Sequence, residues 1–280
     1  MKLVRFGNKG LEKPGLVDAD GGIRDASSIT PDYAGTALGV EALEVLKKVD
    51  PASLPLAPAG VRIGSCVAHP GHFIAVGLNF TDHAEETGNP IPDEPVLFSK
   101  APSCLSGPND DVVLPPGSVK TDWEVELAFV IGKGGYRISE DDALSHVAGY
   151  CICNDVSERT WQVEGTGQWI KGKSAPTFGP LGPWLVTPDE VGDVGNLAMF
   201  LDVNGRRMQT GSTSTFIFGI ATLVSFMSHR FALETGDVVT TGTPPGVGLG
   251  MKPPLFLKPG DEMHLGIAKL GEQRQKVIGS

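Results

Sequence analysis

The stretch WEVEL, from Trp123 to Leu127, places two glutamates two residues apart inside an apolar run. Side chains on a β-strand alternate between its two faces, so Glu124 and Glu126 are predicted to point to the same side. At a rise of about 3.3 Å per residue, their Cα atoms lie roughly 6.5–7 Å apart, a span that one cation can bridge. This short segment therefore predicts a strand that carries a pair of candidate metal ligands.

A third carboxylate, Asp155, ends the next apolar run, which extends from Val147 to Cys153. Together with Glu124 and Glu126 it forms a trio that is typical of a metal site. The alternative is structural. In it, the two glutamates lie on an exposed strand face, and Asp155 is the N-cap of a helix whose N3 residue, Glu158, closes a capping box. On these residues alone, both interpretations stay open.

Length and charge restrict the class of protein. The chain has 280 residues and a formal net charge of −10, from 23 Lys and Arg against 33 Asp and Glu. It contains no basic run of the kind that nucleic-acid binding requires, so we expect a small-molecule substrate and no nucleic-acid partner. The four cysteines show neither a disulfide framework nor a zinc-binding spacing.

The sequence predicts neither a signal peptide nor a membrane span. Its first segment, MKLVRFG, is typical of a short strand and turn and lacks the apolar core of a signal peptide. The longest apolar stretch, Phe216 to Met227, is well short of the roughly 20 apolar residues that a span needs, and it predicts a buried helix. We therefore expect a cytoplasmic enzyme with no membrane partner.

The chain is predicted to divide into a small N-terminal domain, residues 1–70, and a larger domain, residues 71–280. The first part has two strand candidates, an amphipathic helix around Val40 to Leu46, and a connector rich in Pro and Ala. The second part has short β-rich runs separated by Gly and Pro, which predict a mixed β-rich fold. Its predicted strands are Phe73–Leu78, Val125–Ile131, Ala148–Cys153, Trp184–Val186, Ala198–Val203, Val238–Thr241 and Glu262–Ile267.

A possible general base lies upstream of the trio, in the segment GLNFTDHAEE from Gly77 to Glu86. Here His83 and Glu86 have the i, i+3 spacing of a helix, which lets a carboxylate orient an imidazole. Imidazole titrates near neutral pH and suits the activation of water. Taken alone, the pair is more typical of a solvated surface turn of helix.

Two further segments carry groups that can bind an anion. Lys173, in Gly172-Lys173, could hold a substrate carboxylate or stabilise an enolate. Backbone N–H groups in the Gly242–Thr243 turn could form an anion-binding nest. Either segment could also be ordinary turn chemistry.

In this order, the segments resemble the fumarylacetoacetate hydrolase family over about residues 72–278. The motifs that carry the resemblance are GLNF with His83 and Glu86, Pro102-Ser103, Gly107-Pro108-Asn109-Asp110, Glu124-x-Glu126, Asn154-Asp155-Val156-Ser157-x-Arg159, Gly172-Lys173 and Thr241-Gly242-Thr243-Pro244. The resemblance implies an α+β fold, in which a catalytic mixed β-sandwich roll follows a small N-terminal α+β domain. It also implies a homodimer or a dimer of dimers.

The resemblance assigns roles to individual residues. Glu124, Glu126 and Asp155 match the family's metal ligands, and the cation implied is Mg²⁺, Mn²⁺ or Ca²⁺. An all-oxygen ligand set suits such a hard cation better than zinc. The catalytic positions, of which the first two are on a mobile lid, are matched by His83, Glu86 and Lys173.

Substrate-contacting positions of the family are matched by Arg159, Gln162, Gly242 and Thr243. One departure lies close to Lys173. Many relatives carry an Asp where this chain has Pro176, so a carboxylate and a backbone N–H are missing there.

The family acts on 2-oxo and 2,4-dioxo acids, so the resemblance implies hydrolysis of the C3–C4 bond of a 2,4-dioxo acid to pyruvate and a second acid. His83, oriented by Glu86, would activate water for attack at C4, and Lys173 would help to neutralise charge. The segments MKLVRFG and KTDWEVEL look most like the sugar-acid branch. Members of that branch hydrolyse 2,4-dioxo-3-deoxy-L-rhamnonate or -fuconate and are often named ureidoglycolate lyase.

Three alternatives to this function are open. An oxaloacetate decarboxylase on the same scaffold would need no water nucleophile, and a ureidoglycolate-type lyase would release urea and glyoxylate. A non-catalytic protein would bind the cation for stability alone, but it would have no use for a His–Glu pair beside a Lys and a Gly-Thr turn.

Overall fold

The structure is a computed structural model, and it describes residues 1–82, 84 and 90–280. Strands account for most of the regular structure in these ranges. They are β1 (Lys2–Phe6), β2 (Lys13–Val17), β3 (Ile23–Asp25), β4 (Phe73–Gly77), β5 (Val96–Ser99), β6 (Leu105–Ser106), β7 (Val112–Leu114), β8 (Thr121–Asp122), β9 (Val125–Ile131), β10 (Val147–Asn154), β11 (Ser157–Glu158), β12 (Gly179–Val186), β13 (Ala198–Val203), β14 (Arg206–Ser212), β15 (Val238–Thr240), β16 (Glu262–Ile267) and β17 (Gly271–Gly279).

Within the described ranges the strands form two large sheets and one small one. The larger sheet has ten strands in the order β3-β2-β1-β12-β10-β9-β15-β4-β5, with β6 also paired to β12. The second sheet has five strands in the order β14-β13-β16-β17-β7, and β11 pairs with β8 alone. This architecture confirms the prediction of an α+β fold built on mixed β-sheets.

Helices are short and few in comparison. Those that lie wholly within the described ranges are α1 (Val40–Leu46), α2 (Arg159–Val163), α3 (Ile170–Lys173), α4 (Pro188–Val191) and α5 (Ile220–Ser228). The amphipathic helix and the buried helix predicted from the sequence correspond to α1 and α5. In α5, Leu223, Val224 and Met227 are buried on one face. No helix in these ranges is both long and apolar enough to cross a membrane.

The strands at the centre of the large sheet are buried on both faces. Every residue of β9 and of β10 is buried, which explains why both read as nearly continuous apolar runs. The two large sheets share one core, in which Leu127 of β9 meets the cluster that contains Leu201 and Leu265 of the second sheet. Full burial of such a side chain contributes about 1.5–3 kcal/mol.

The N-terminal strands extend the large sheet. Strand β1 pairs antiparallel with β12, with Leu3 opposite Leu185, and β2 and β3 follow at the edge. Leu3 and Leu16 belong to the same hydrophobic core as the central strands. The domain boundary near residue 70 stays a prediction. The pairing of β1 with β12 joins strands from the two sides of it.

Candidate active site

The pairing of β9 with β10 brings the three acidic side chains together. The antiparallel register sets Asn154 opposite Val125, so Asp155 lies beside Glu124 and donates its N–H to the Glu124 carbonyl at 2.9 Å. Glu126 is two residues further along, on the same strand face as Glu124. Carboxylate oxygens of Glu124, Glu126 and Asp155 all lie within 4.8 Å of one another.

The structural alternative for this trio does not hold. Glu124, Glu126 and Asp155 are 7%, 2% and 0% exposed, so the two glutamates do not lie on a solvated strand face. The N-cap of α2 is Glu158 and not Asp155, and the Glu158 carboxylate accepts the Thr160 N–H at 3.2 Å. Three buried acids in contact need cations close by, since buried charges are stable only when they are paired.

Two cationic side chains predicted for the site reach the trio. The Lys173 ammonium lies 2.6 Å from Glu124 Oε2 and 2.6 Å from Asp155 Oδ2. The Arg159 guanidinium lies 2.7 Å from Glu124 Oε1 and 2.7 Å from Asp122 Oδ2. Arg159 Nη1 also donates to Gln162 Oε1 at 2.9 Å, one turn along α2. Both predicted cations are therefore already held by carboxylates of the site.

A cavity of about 560 Å³ opens over this cluster. Its charged lining consists of the trio with Arg159, Lys173 and Lys252, and Gln162 adds an amide. Apolar groups form much of the remaining wall, among them Phe98 and Trp169, whose ring centroids are 5.1 Å apart. The volume suits a small organic acid.

Glu124 and Glu126 differ in pKa although both are buried. Burial disfavours the charged form of Glu124, but the nearby Lys173 and Arg159 outweigh it and lower its pKa to about 2. Burial, together with the negative charges of Asp155 and Glu124, raises the pKa of Glu126 well above its ordinary value. The negative charge of Glu126 is therefore disfavoured, and a divalent cation nearby would stabilise it.

The Gly242–Thr243 turn supports the acidic trio. It follows β15, which pairs with β9, so the Gly242 N–H reaches Glu126 Oε2 at 3.0 Å. Gly242 has φ +91°, and a Cβ there would lie 3.2 Å from the Val76 carbonyl oxygen, so this position favours glycine. Thr243 Oγ1 donates to the Val125 carbonyl at 2.9 Å. Both residues line the cavity, and their direct contact with substrate stays a prediction.

Close packing of α2 against α3 places Lys173. A Cβ on Gly172 would lie 2.5 Å from the Gln162 backbone nitrogen and 2.5 Å from the Glu158 carbonyl oxygen. Glycine is therefore needed before Lys173, because a larger residue would push α3 away from α2. The Gly172-Lys173 motif thus has a packing reason as well as a chemical one.

Three residues singled out in the sequence are not among the described residues that line the cavity. His83 and Glu86 lie outside the described residues, so their role as a base pair stays a prediction. Pro176 is exposed in the turn after α3 and is not among the described residues that line the cavity. Pro176 itself is therefore not part of the described cavity wall, and its effect on substrate binding stays a prediction.

Sequence reasoning missed two residues that support the site. Lys100 is fully buried, and its ammonium lies 2.5 Å from Asp155 Oδ1. Gln209 is fully buried in β14, where it accepts the Val125 N–H at 3.0 Å and donates to Thr243 Oγ1 at 2.7 Å. A lysine at the end of the apolar run VLFSK, and a glutamine amid charged residues, gave no signal beyond a surface position.

The donor set fits a hard divalent cation. Three carboxylates, all buried and within reach of one another, offer only oxygen ligands, which suit Mg²⁺, Mn²⁺ or Ca²⁺ better than a soft metal. No cationic side chain in the described ranges forms an ion pair with Glu126, which leaves one carboxylate of the trio without such a partner. A bound cation would provide it.

The similarity to known proteins covers nearly the whole chain. A putative hydrolase of Burkholderia cenocepacia strain HI2424, Bcen2424_5521, is 55% identical over 278 residues, 99% of either chain. The fumarylacetoacetate hydrolase EaFAH of Exiguobacterium antarcticum superposes with a TM-score of 0.90 at 35% identity, over 100% of both chains. Maleylpyruvate hydrolase of Sphingobium sp. SYK-6, solved with manganese(II) and pyruvate, gives a TM-score of 0.83 at 29% identity, again over 100% of both.

The sequence profile of a family agrees with these similarities. The profile described as fumarylacetoacetate (FAA) hydrolase C-terminal matches residues 72–278, which include the trio, Arg159, Lys173 and the Gly242–Thr243 turn. The family inferred from the ordered motifs is thereby confirmed, while the sugar-acid branch stays a prediction. The chain belongs to the fumarylacetoacetate hydrolase family.

Proposed function

We propose that the chain is a divalent-metal-dependent hydrolase that cleaves the C3–C4 bond of a 2,4-dioxo acid. Hydrolysis adds the hydroxyl of water to C4, which becomes the carboxyl carbon of the second acid, and a proton to C3, which becomes the methyl carbon of pyruvate. The observation that carries the proposal is one cavity that holds both a buried trio of carboxylates and the cations Lys173 and Arg159.

A divalent cation held by Glu124, Glu126 and Asp155 would supply Lewis acidity toward the oxygens of the 2-oxo acid group. The relative from Sphingobium, which was solved with manganese(II) and pyruvate, supports both the cation and the product. Mg²⁺ and Mn²⁺ are the cations that we propose, and Ca²⁺ suits the same donor set.

Lys173 is proposed to balance the negative charge that develops on the pyruvate half as the C3–C4 bond breaks. The Lys173 side chain is 2% exposed, so the field of its ammonium is only weakly screened by water. Arg159 is held by Asp122 and Glu124, and it in turn holds Gln162 Oε1. The Gln162 amide nitrogen is thereby oriented as a hydrogen-bond donor for a substrate oxygen.

His83 and Glu86 are proposed as the base pair. His83 would take a proton from the attacking water, and Glu86 would orient the imidazole and favour its charged form. The finer substrate expected from the sequence, a 2,4-dioxo-3-deoxy sugar acid, enters as the first compound to test. A homodimer or dimer of dimers is the assembly that we propose, and light scattering measures it directly.

The test is pyruvate release, followed by coupling to lactate dehydrogenase. Substrates are 2,4-dioxo-3-deoxy-L-rhamnonate, its fuconate counterpart, and the simplest 2,4-dioxo acid, acetylpyruvate. We expect pyruvate from at least one of them with Mg²⁺ or Mn²⁺, none after chelation by EDTA, and none from Glu126→Gln. His83→Ala should abolish hydrolysis as well, because no other base is proposed.

Other products would identify the alternatives. Pyruvate from oxaloacetate alone, with activity retained in His83→Ala, would replace the hydrolase with a decarboxylase. Urea and glyoxylate from ureidoglycolate would identify the lyase. Metal-dependent thermal stabilisation without turnover of any of these compounds would leave a cation-binding protein and contradict the proposal.

A further inference from the structure

Each carboxylate of the trio has one oxygen held by a donor other than Lys173. Arg159 holds Glu124 Oε1 at 2.7 Å, and the Gly242 N–H holds Glu126 Oε2 at 3.0 Å. The third donor is Lys100, whose ammonium lies 2.5 Å from Asp155 Oδ1. The Oδ2 of Asp155 accepts from the Lys173 ammonium at 2.6 Å, and both residues line the cavity. Asp155 is therefore held at Oδ1 by Lys100, which is not among the described cavity residues, and at Oδ2 by Lys173, which lines the cavity that a cation would enter.

Lys100 is held in a fixed position by burial and by three hydrogen bonds. Its side chain is 0% exposed, and it packs with its ammonium 5.8 Å from the centroid of the Phe73 ring. Besides Asp155, the ammonium donates to the backbone carbonyls of Lys173 and Phe178, the latter at 3.1 Å. These three bonds use all three N–H donors of the lysine. Lys100 has no donor left for a substrate, and it is absent from the described lining of the cavity.

We propose that Lys100 is a positioning residue that restricts Asp155 to one metal-binding oxygen, and thereby favours a small octahedral cation over Ca²⁺. The inference rests on the metal site of the proposed function. A carboxylate that chelates through both oxygens would have to release Oδ1 from Lys100. Ca²⁺ accepts six to eight oxygens and often takes carboxylates in this two-oxygen mode, whereas Mg²⁺ requires a compact octahedron and accepts single oxygens.

The bond from Lys100 to the Lys173 carbonyl adds a second consequence. The same ammonium fixes the metal ligand Asp155 and the end of α3, so the distance between the ligand and Lys173 is set by one buried group. Outer residues of this kind orient the groups that bind a metal, and their loss typically costs about 10- to 100-fold in metal affinity.

The experiment is calorimetric titration of Mg²⁺ and Ca²⁺, each alone, into the wild-type protein, Lys100→Met and Lys171→Met. Lys171 is the control lysine, because it lies in α3, whose last carbonyl Lys100 contacts, is exposed, and donates to Thr166 instead of the trio. We expect Lys100→Met to weaken Mg²⁺ binding by about 10- to 100-fold. Ca²⁺ binding should weaken less, because Oδ1 is freed as an additional ligand, so the preference shifts toward Ca²⁺. Lys171→Met should leave both affinities unchanged.

Equal weakening of both cations, or no change in either, would overturn the role of Lys100 while leaving the metal site intact. No binding of either cation by the wild type would overturn the metal site itself and the inference with it. Should Lys100→Met not fold, crystals of the wild type with Mn²⁺ and with Ca²⁺ decide the matter. Asp155 bound through Oδ2, with Lys100 on Oδ1, supports the proposal, and chelation through both oxygens contradicts it.

Discussion

The negative charge of Glu126 is less stable than that of Glu124. Its pKa is raised by burial and by the charges of Asp155 and Glu124, so the folded protein holds its proton more tightly than the unfolded chain does. Such a group contributes stability that is present below its ordinary pKa of 4.5 and lost as the pH rises through the folded value. Without metal, the folded state should therefore weaken as the pH rises.

This effect leads to a prediction for Glu126→Gln, which keeps the shape and removes the charge. In EDTA, the melting temperature of the wild type should fall between about pH 5 and pH 8, and that of the variant should fall less. The variant should also lose the stabilisation that Mg²⁺ gives to the wild type. Thermal melts across this pH range provide the measurement, with exposed Glu41→Gln as the control. Parallel curves for wild type and Glu126→Gln would contradict the assignment.

Gly172 is the residue that most directly limits where Lys173 can lie. In Gly172→Ala, the new methyl would meet the backbone of Gln162 and Glu158 at 2.5 Å, so α3 must shift. We expect a loss of about 1–3 kcal/mol in the free energy of unfolding. We also expect kcat to fall under conditions in which the variant is still folded, because Lys173 is displaced. Urea unfolding and turnover measure the two effects. In Gly219→Ala the added methyl has open space, so a similar loss there would argue against a steric cause.

Strand β14 supports the candidate active site through Gln209, although its sequence is typical of an exposed strand. Through Gln209 it reaches across to the first residue of β9 and to the Thr243 turn, and Gln209 also donates to the Pro244 carbonyl at 2.8 Å. The strand that carries the trio and the turn that supports Glu126 are thus joined by one side chain. Removal of that side chain leaves buried polar groups without partners.

We therefore predict that Gln209→Ala destabilises the protein by about 1–3 kcal/mol and lowers kcat/KM for the substrate identified above. Thr210→Ala, one residue along the same strand and exposed, is the matched control and should change neither quantity appreciably. Chemical denaturation and steady-state kinetics give the two readouts. Wild-type kinetics in Gln209→Ala would show that the turn keeps its place without this contact.

The elements that could be predicted are those whose apolar residues follow a strand or helix pattern. All seven strands predicted for residues 71–280 are present, as are both predicted helices, because their inward positions carry Val, Ile, Leu or Phe. Strand β17 was missed because its inward positions include Gln273 and Gln275, whose amides bond to buried carbonyls. Lys100 was missed for the same reason, since a buried lysine is rare and its partner is 55 residues away.

At the scale of the whole molecule, the predicted division at residue 70 can be tested by truncation. Strand β1 covers one edge of β12, and Leu3 and Leu16 fill the common core. A fragment of residues 71–280 would expose that strand edge and the apolar surface beneath it. We expect the fragment to aggregate or to melt at a lower temperature than the full chain. A monodisperse fragment with full thermal stability would establish an independent domain.

The pairing of β1 with β12 cannot form until β12 has been synthesised. The Met1 amino group donates to the Thr187 hydroxyl, a partner 186 positions away. At a translation rate of about 5–20 residues per second, β1 waits roughly 10–40 seconds on the ribosome before β12 exists. During that interval β1 can pair with β2, but the part of its edge at Lys2 and Leu3 that pairs with β12 has no partner. Chaperone binding to the nascent chain should therefore be strongest before β12 emerges and should end soon after it.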